Sequence, residues 1–223
     1  MITSPLSRAA LGTAMAAIIA ASVVAVPAPV LAAPVRAPAT ARQTLLVAMG
    51  GSDPQGLTLR AARALMPLDM DVRVRFVIGA GMNDAPGVAR AVTGLKSNFE
   101  TVEGADDLAT AYASADLALC AFGVTAYELA AFGVPALYLG LSEDHVRSAD
   151  AFEDSGMGIS LGLAAAVTDA DIFARVKTLL NDPVERLNMR AAGLATLDGG
   201  GASRIAADLA QAMRATAPLR AAR

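Results

Sequence analysis

The chain has 223 residues, enough for one sizeable domain with appendages, and 55% of them are hydrophobic. A formal net charge of −3 supplies no basic field, which argues against nucleic-acid binding through general electrostatics. One cysteine, Cys120, and one histidine, His145, exclude an internal disulfide framework, a cysteine-cluster metal site and a multi-histidine metal centre.

Residues 1–42 differ from everything after them. Arg8 is the only charge before Arg36, and the stretch between is rich in alanine and valine, interrupted by Pro27 and Pro29. Read as a secretory signal, Arg8 is the charged start, residues 9–26 the apolar core, and Val30-Leu31-Ala32 a small-residue cleavage site. Read as a membrane span, the uncharged segment 9–33 is long enough, but alanine is weakly apolar and two prolines break it. The plain alternative is an Ala/Pro-rich leader or the remnant of an upstream domain. The residues up to Ala41 read as a linker.

A globular domain is expected over residues 43–216, with a tail at 217–223. Leu45, Leu46, Val47 and Ala48 form a buried strand that Gly50-Gly51-Ser52-Asp53-Pro54 ends. A helix over 57–65 follows, its apolar side on Leu57, Leu59, Ala62 and Leu65. The pattern then predicts a strand over 72–78 closed by Gly79-Ala80-Gly81, a helix over 86–92, and a strand over 99–102. Asp106 and Asp107 open the next helix, where acidic residues suit the first turn. Leu117, Ala118, Leu119 and Cys120 make a fourth strand, in which burial makes an inert cysteine the better reading than a nucleophile. A short helix begins near Thr125 and is stopped by Gly133-Val134-Pro135, and a strand over 136–139 follows at once. A helix over 144–154, a strand over 158–161, and helices over 169–180, 183–194 and 202–213 complete the chain. The alternation predicts an α/β fold with a Rossmann-like parallel sheet covered by helices on both faces.

Three polar loops fall at the carboxyl ends of these strands, where open α/β sheets bind ligands. In Gly50-Gly51-Ser52-Asp53, glycines admit a phosphate to backbone N–H groups and Ser52 adds a donor, although a plain strand-to-helix turn uses the same residues. In Gly123-Val124-Thr125-Ala126-Tyr127-Glu128, a helix start offers free N–H groups to an anion, and Glu128 can accept from sugar hydroxyls. The competing reading makes Thr125 an N-cap and Glu128 its capping-box partner. Ser142-Glu143-Asp144-His145 follows the next strand, where His145 can donate to a phosphate or act as acid or base; the alternative is a half-solvated helix-start histidine.

These segments together resemble the carboxyl-terminal half of GT-B glycosyltransferases of the MurG type. Within that family the likeness is to the branch of UDP-sugar hydrolases of pseudaminic acid synthesis and spore-coat polysaccharide proteins. The residues that carry it are Gly50-Gly51-Ser52-Asp53, the run 116–145 with Gly123, Thr125, Tyr127, Glu128, Gly133 and Pro135, and the run 199–207. The resemblance implies a domain that holds the UDP part of a nucleotide sugar. By it, Gly51 and Ser52 with Gly123, Val124 and Thr125 face the phosphates, Asp53 is a further substrate-binding residue of the first loop, Glu128 takes the ribose, and the loop at Gly104-Ala105 lies against the uracil. Asp144 and His145 stand where the family has asparagine and glutamine, so the sugar contact there departs from the family pattern.

The family's amino-terminal domain supplies the acceptor site and, in the hydrolases, a histidine base; here residues 1–42 stand in its place and hold no histidine. The expected partners are therefore a UDP-sugar and an acceptor domain in trans, with membrane contact through residues 9–33 as an option and no nucleic acid. No metal and no cofactor is expected, the UDP-sugar being the substrate. The expected activity is glycosyl transfer or nucleotide-sugar hydrolysis in surface polysaccharide or nonulosonate synthesis, with no catalytic residue assigned beyond His145 as a candidate. The alternative is a non-enzymatic nucleotide-binding or interaction module. The expected location is cytoplasmic, with membrane association or export through the leader as alternatives.

Overall fold

A computed structural model describes residues 42–198 and 200–215. The expected leader, with its cleavage site and its candidate span at 9–33, and the expected tail at 217–223 lie outside the described residues. Two compact units divide between Leu197 and Asp198.

The first unit holds six strands, β1 (Thr44–Ala48), β2 (Arg73–Val77), β3 (Phe99–Val102), β4 (Leu117–Ala121), β5 (Ala136–Gly140) and β6 (Gly158–Leu163). Between and after them run α1 (Leu57–Ala64), α2 (Ala85–Leu95), α3 (Ala105–Ser114), α4 (Val124–Ala131), α5 (Glu143–Asp154), α6 (Asp169–Asn181) and α7 (Pro183–Thr196). All strand pairs are parallel, in the order β3-β2-β1-β4-β5-β6. Strands buried on both faces need apolar residues throughout, and β1, β4 and β5 are buried at every position. Their alternate side chains separate the two faces. Leu45, Val47, Leu119 and Leu137 pack with Leu57 and Ala61 of α1 and Ile172 and Val176 of α6 in one cluster. On β5 the side chain of Tyr138 instead meets Phe122 and Phe152 of α5.

Local chemistry sets the helix ends. Asp84 caps α2, Ser142 caps α5, Asp182 caps α7, and α6 carries a full capping box between Thr168 and Asp171. At the far end of α4 the N–H of Val134 donates to Leu129 (2.8 Å) and that of Gly133 to Ala130 (2.9 Å). That paired arrangement needs a left-handed residue, and Gly133 supplies it at φ 66°. The expected apolar side of α1 packs on the core, with Leu59 half-buried against it and Thr58 and Ala61 buried beside it.

The second unit contributes α8 (Gly201–Ala215), with Arg204 ion-paired to Asp198 at 2.6 Å. Hydrogen bonds from Arg204 and from the Gly200 N–H hold the Asp198 carboxyl below the usual carboxylate range. Among the described residues no helix is long and apolar enough to cross a membrane.

Candidate functional site

The order of the sheet reverses direction between β1 and β4, and such a switch point opens a crevice at the carboxyl ends of the strands. Register makes the two loops emerge level, because Ala48 pairs with Cys120 as the last matched residues of β1 and β4. Gly51 and Ser52 therefore leave the sheet beside Gly123, and both glycines and Ser52 are at least partly open to solvent. Ser142 and His145 follow β5, the neighbour of β4 on the same edge. Gly104 and Ala105 follow β3, two strands beyond β1, so the loop expected against a base sits at the far end of the same rim.

The Gly123 turn is fixed from below. Phe122 lies edge-on to Tyr138, Phe152 and Tyr127, with centroids 5.4, 5.1 and 6.4 Å away. Its N–H is bonded to Leu139 of β5 at 2.8 Å. Gly123 is the N-cap of α4 and gives it no side-chain cap. Among the described residues the N–H groups of Gly123, Val124 and Thr125 meet no acceptor, whereas that of Ala126 is closed back onto Gly123 at 3.0 Å. These are the orphan donors of a helix start, aimed out of the sheet edge with the positive end of the helix dipole behind them.

Neither Gly51 nor Gly123 is glycine for internal reasons. A Cβ added to either would meet nothing within 4 Å, and Gly123 has an extended φ of 170° that any residue adopts. The space belongs to the crevice. Gly79 is the opposite case: a Cβ there would lie 2.1 Å from the carbonyl oxygen of Gly51, and Gly81 donates to that same oxygen at 3.0 Å. The turn after β2 thus braces the turn after β1, a role that the paired glycines at a strand end could have signalled.

The capping-box reading of Thr125 and Glu128 does not hold. Gly123 is the N-cap, which puts Thr125 and Glu128 inside the helix as its second and fifth residues. Glu128 is exposed, and its Oε2 accepts from the hydroxyl of Tyr112 on α3 at 2.9 Å. Among the described residues Oε1 has no donor. Tyr112 had no mark in the sequence.

Asp53 serves its own helix. Its two carboxylate oxygens accept from the N–H groups of Leu57 (2.7 Å) and Thr58 (2.8 Å), from a backbone at φ 38°. The amino end of α1 is therefore already occupied by an internal carboxylate, which leaves α4 as the open one beside the switch point. Asp144 is exposed and ion-paired to Arg147 one turn on. Half-buried His145 gives its N–H to Ser142 Oγ at 3.3 Å, while its Nδ1 is buried with no partner among the described residues. Cys120 is buried in β4, and desolvation pushes its thiol well above the usual range, so it is no nucleophile. Among the described residues no three His, Cys, Asp or Glu side chains converge as a metal site requires.

A 3-2-1-4-5-6 parallel sheet with helix N–H groups at its switch point defines a Rossmann-like α/β domain of the kind that forms half of a GT-B fold. No family model matches the chain. The spore coat polysaccharide biosynthesis protein SpsG of Bacillus subtilis (strain 168) is 31% identical over 169 residues, which are 75% of this chain and 50% of that protein. The UDP-N-acetylglucosamine--N-acetylmuramyl-(pentapeptide) pyrophosphoryl-undecaprenol N-acetylglucosamine transferase of Azotobacter vinelandii is 33% identical over 167 residues, 70% of this chain and 46% of that one. Among solved structures, MurG of Acinetobacter baumannii superposes with a TM-score of 0.63 at 21% identity, covering 80% of this chain and 55% of that chain. The chain belongs to the GT-B, MurG-like family that these relatives represent. It spans about half the length of the curated relatives it matches.

Proposed function

We propose that the sheet domain holds the UDP moiety of a nucleotide sugar and is the donor-binding half of a glycosyltransferase or nucleotide-sugar hydrolase of surface polysaccharide or nonulosonate synthesis. The observation that carries this is the β1/β4 switch point, where Gly51 and Gly123 leave open space and three N–H groups lack acceptors among the described residues. On this reading the N–H groups at residues 123–125 take the pyrophosphate, Ser52 and Gly51 close on it from β1, Glu128 accepts from the ribose, and the Gly104-Ala105 loop borders the uracil. As the anomeric C–O bond breaks, the bond electrons pass to the departing diphosphate, and donors already aimed at it stabilise that charge without reorganising. Asp53 acts one step removed, by holding the turn that carries Ser52.

An acceptor domain in trans would supply the second wall of the cleft, which orients the attacking group and excludes water. The relative named as a UDP-N-acetylglucosamine transferase supports the substrate class. The second reading is a nucleotide-binding module without turnover of its own. Titration calorimetry with UDP tests the first step, followed by a product assay with and without a co-purified partner. Saturable UDP binding is expected; an absence of UDP binding overturns the proposal, and binding without turnover in either assay favours the module.

A further inference from the structure

The ribose-side carboxylate is held by a residue that nothing in the family motif names. Tyr112 lies on α3, its ring buried edge-on against Phe132 at 5.4 Å between centroids and 72° between planes. Its hydroxyl donates to Glu128 Oε2 at 2.9 Å across a sequence separation of 16 residues. Burial, and then the Glu128 charge beside it, push the phenol well above its ordinary range, so it remains a donor at any working pH.

This contact is unusual for an exposed glutamate. A free Glu on a helix surface samples many rotamers, and ordering it upon binding costs affinity. Here one oxygen is fixed by a rigid, buried donor on a neighbouring helix, and Oε1 is left as the acceptor. The Tyr112–Glu128 bond also joins α4, whose first turn carries the orphan N–H groups, to α3, the helix that begins at the Gly104-Ala105 loop.

Resting on the UDP reading above, we propose that Tyr112 is a positioning residue that pre-orders Glu128 for the 2′ and 3′ hydroxyls of the ribose, so that ribose recognition is set by a side chain that never touches the ligand. The test is Tyr112→Phe, which keeps the ring against Phe132 and removes only the hydroxyl. UDP and 2′,3′-dideoxy-UDP are titrated calorimetrically into wild type, Tyr112→Phe, Glu128→Gln and the double variant. Tyr112→Phe should weaken UDP about five- to tenfold while changing dideoxy-UDP less than about twofold, which is a loss of ribose discrimination rather than of binding in general. The double variant should bind UDP no more weakly than Glu128→Gln alone. Equal losses for both nucleotides, or an unchanged UDP to dideoxy-UDP ratio, overturn the role of Tyr112. If Glu128→Gln also leaves that ratio unchanged, the assignment of Glu128 to the ribose falls; if wild type binds neither nucleotide, the UDP reading itself falls.

Discussion

Replacing Gly123 by alanine separates a glycine kept for a ligand from one kept for the fold. The added Cβ meets no protein atom within 4 Å, and φ of 170° with ψ of −152° is open to alanine. Two small terms then act on stability. Alanine is a poorer N-cap than glycine, which costs a few tenths to about 1 kcal/mol, while the lower entropy of the unfolded chain returns about 0.4–1 kcal/mol. They nearly cancel, so the melting temperature should move by no more than about 2–4 °C. Binding responds differently. The methyl group projects about 1.5 Å from Cα into the space in front of the orphan N–H groups, where a phosphate oxygen must approach to about 2.9 Å. Loss of one charge-assisted hydrogen bond costs about 1.5–3 kcal/mol, a drop in UDP affinity of roughly 10- to 150-fold. A thermal melt and a UDP titration on the same preparation read both effects. Gly123→Ala that binds UDP like wild type refutes the reasoning, and so does a collapse in melting temperature, which would make the glycine structural.

Gly79→Ala should do the reverse, because its Cβ would drive into the Gly51 carbonyl at 2.1 Å; a loss of about 1–3 kcal/mol is expected in denaturant titration, with or without ligand. Asp53→Ala removes both backbone contacts at the start of α1 and should cost about 1–2 kcal/mol, whereas Asp53→Asn, which keeps an acceptor and tolerates φ of 38°, should lose less in the same assay. Hydrogen bonds from the Thr168 side chain and N–H lower the Asp171 carboxyl below its ordinary 3.8. A depressed folded-state pKa gives stability that is present above the unfolded value and lost as pH falls through the folded one. Melting of wild type should therefore decline more than melting of Asp171→Asn between about pH 4 and pH 2.

What the sequence disclosed depended on how local the cause was. Strands β1, β4 and β5 stood out because burial on both faces demands uninterrupted apolar runs, and the structure places them within a residue or two of expectation. β6 runs two residues beyond the expected 158–161, since the sheet continues past a register shift that a left-handed Gly162 accommodates. The rim loops were legible for the same reason as the strands, each being whatever follows an apolar run. Thr125 and Glu128 were ambiguous because a hydroxyl and a glutamate three residues apart fit both a capping box and a ligand site. Only the backbone decided, by starting the helix at Val124. The Tyr112–Glu128 bond and the seat of Gly51 on Gly79 join residues from different βα units, and no local pattern encodes such a meeting.

The rim itself explains why so much falls on backbone donors. Residues 49–56, 78–84, 103–104 and 122–125 contain no lysine or arginine; Arg60, four residues past the first of these loops, is bound to Asp169, and Arg147, just after the loop that follows β5, is ion-paired to Asp144. A diphosphate held here would meet peptide dipoles rather than side-chain cations. Dipoles contribute fractions of a charge and act only at contact, which is why one added methyl group is expected to weaken UDP binding where a lysine clamp would bend aside. The proposed division of labour between a nucleotide half and an acceptor half accords with loops that carry no side-chain cation of their own.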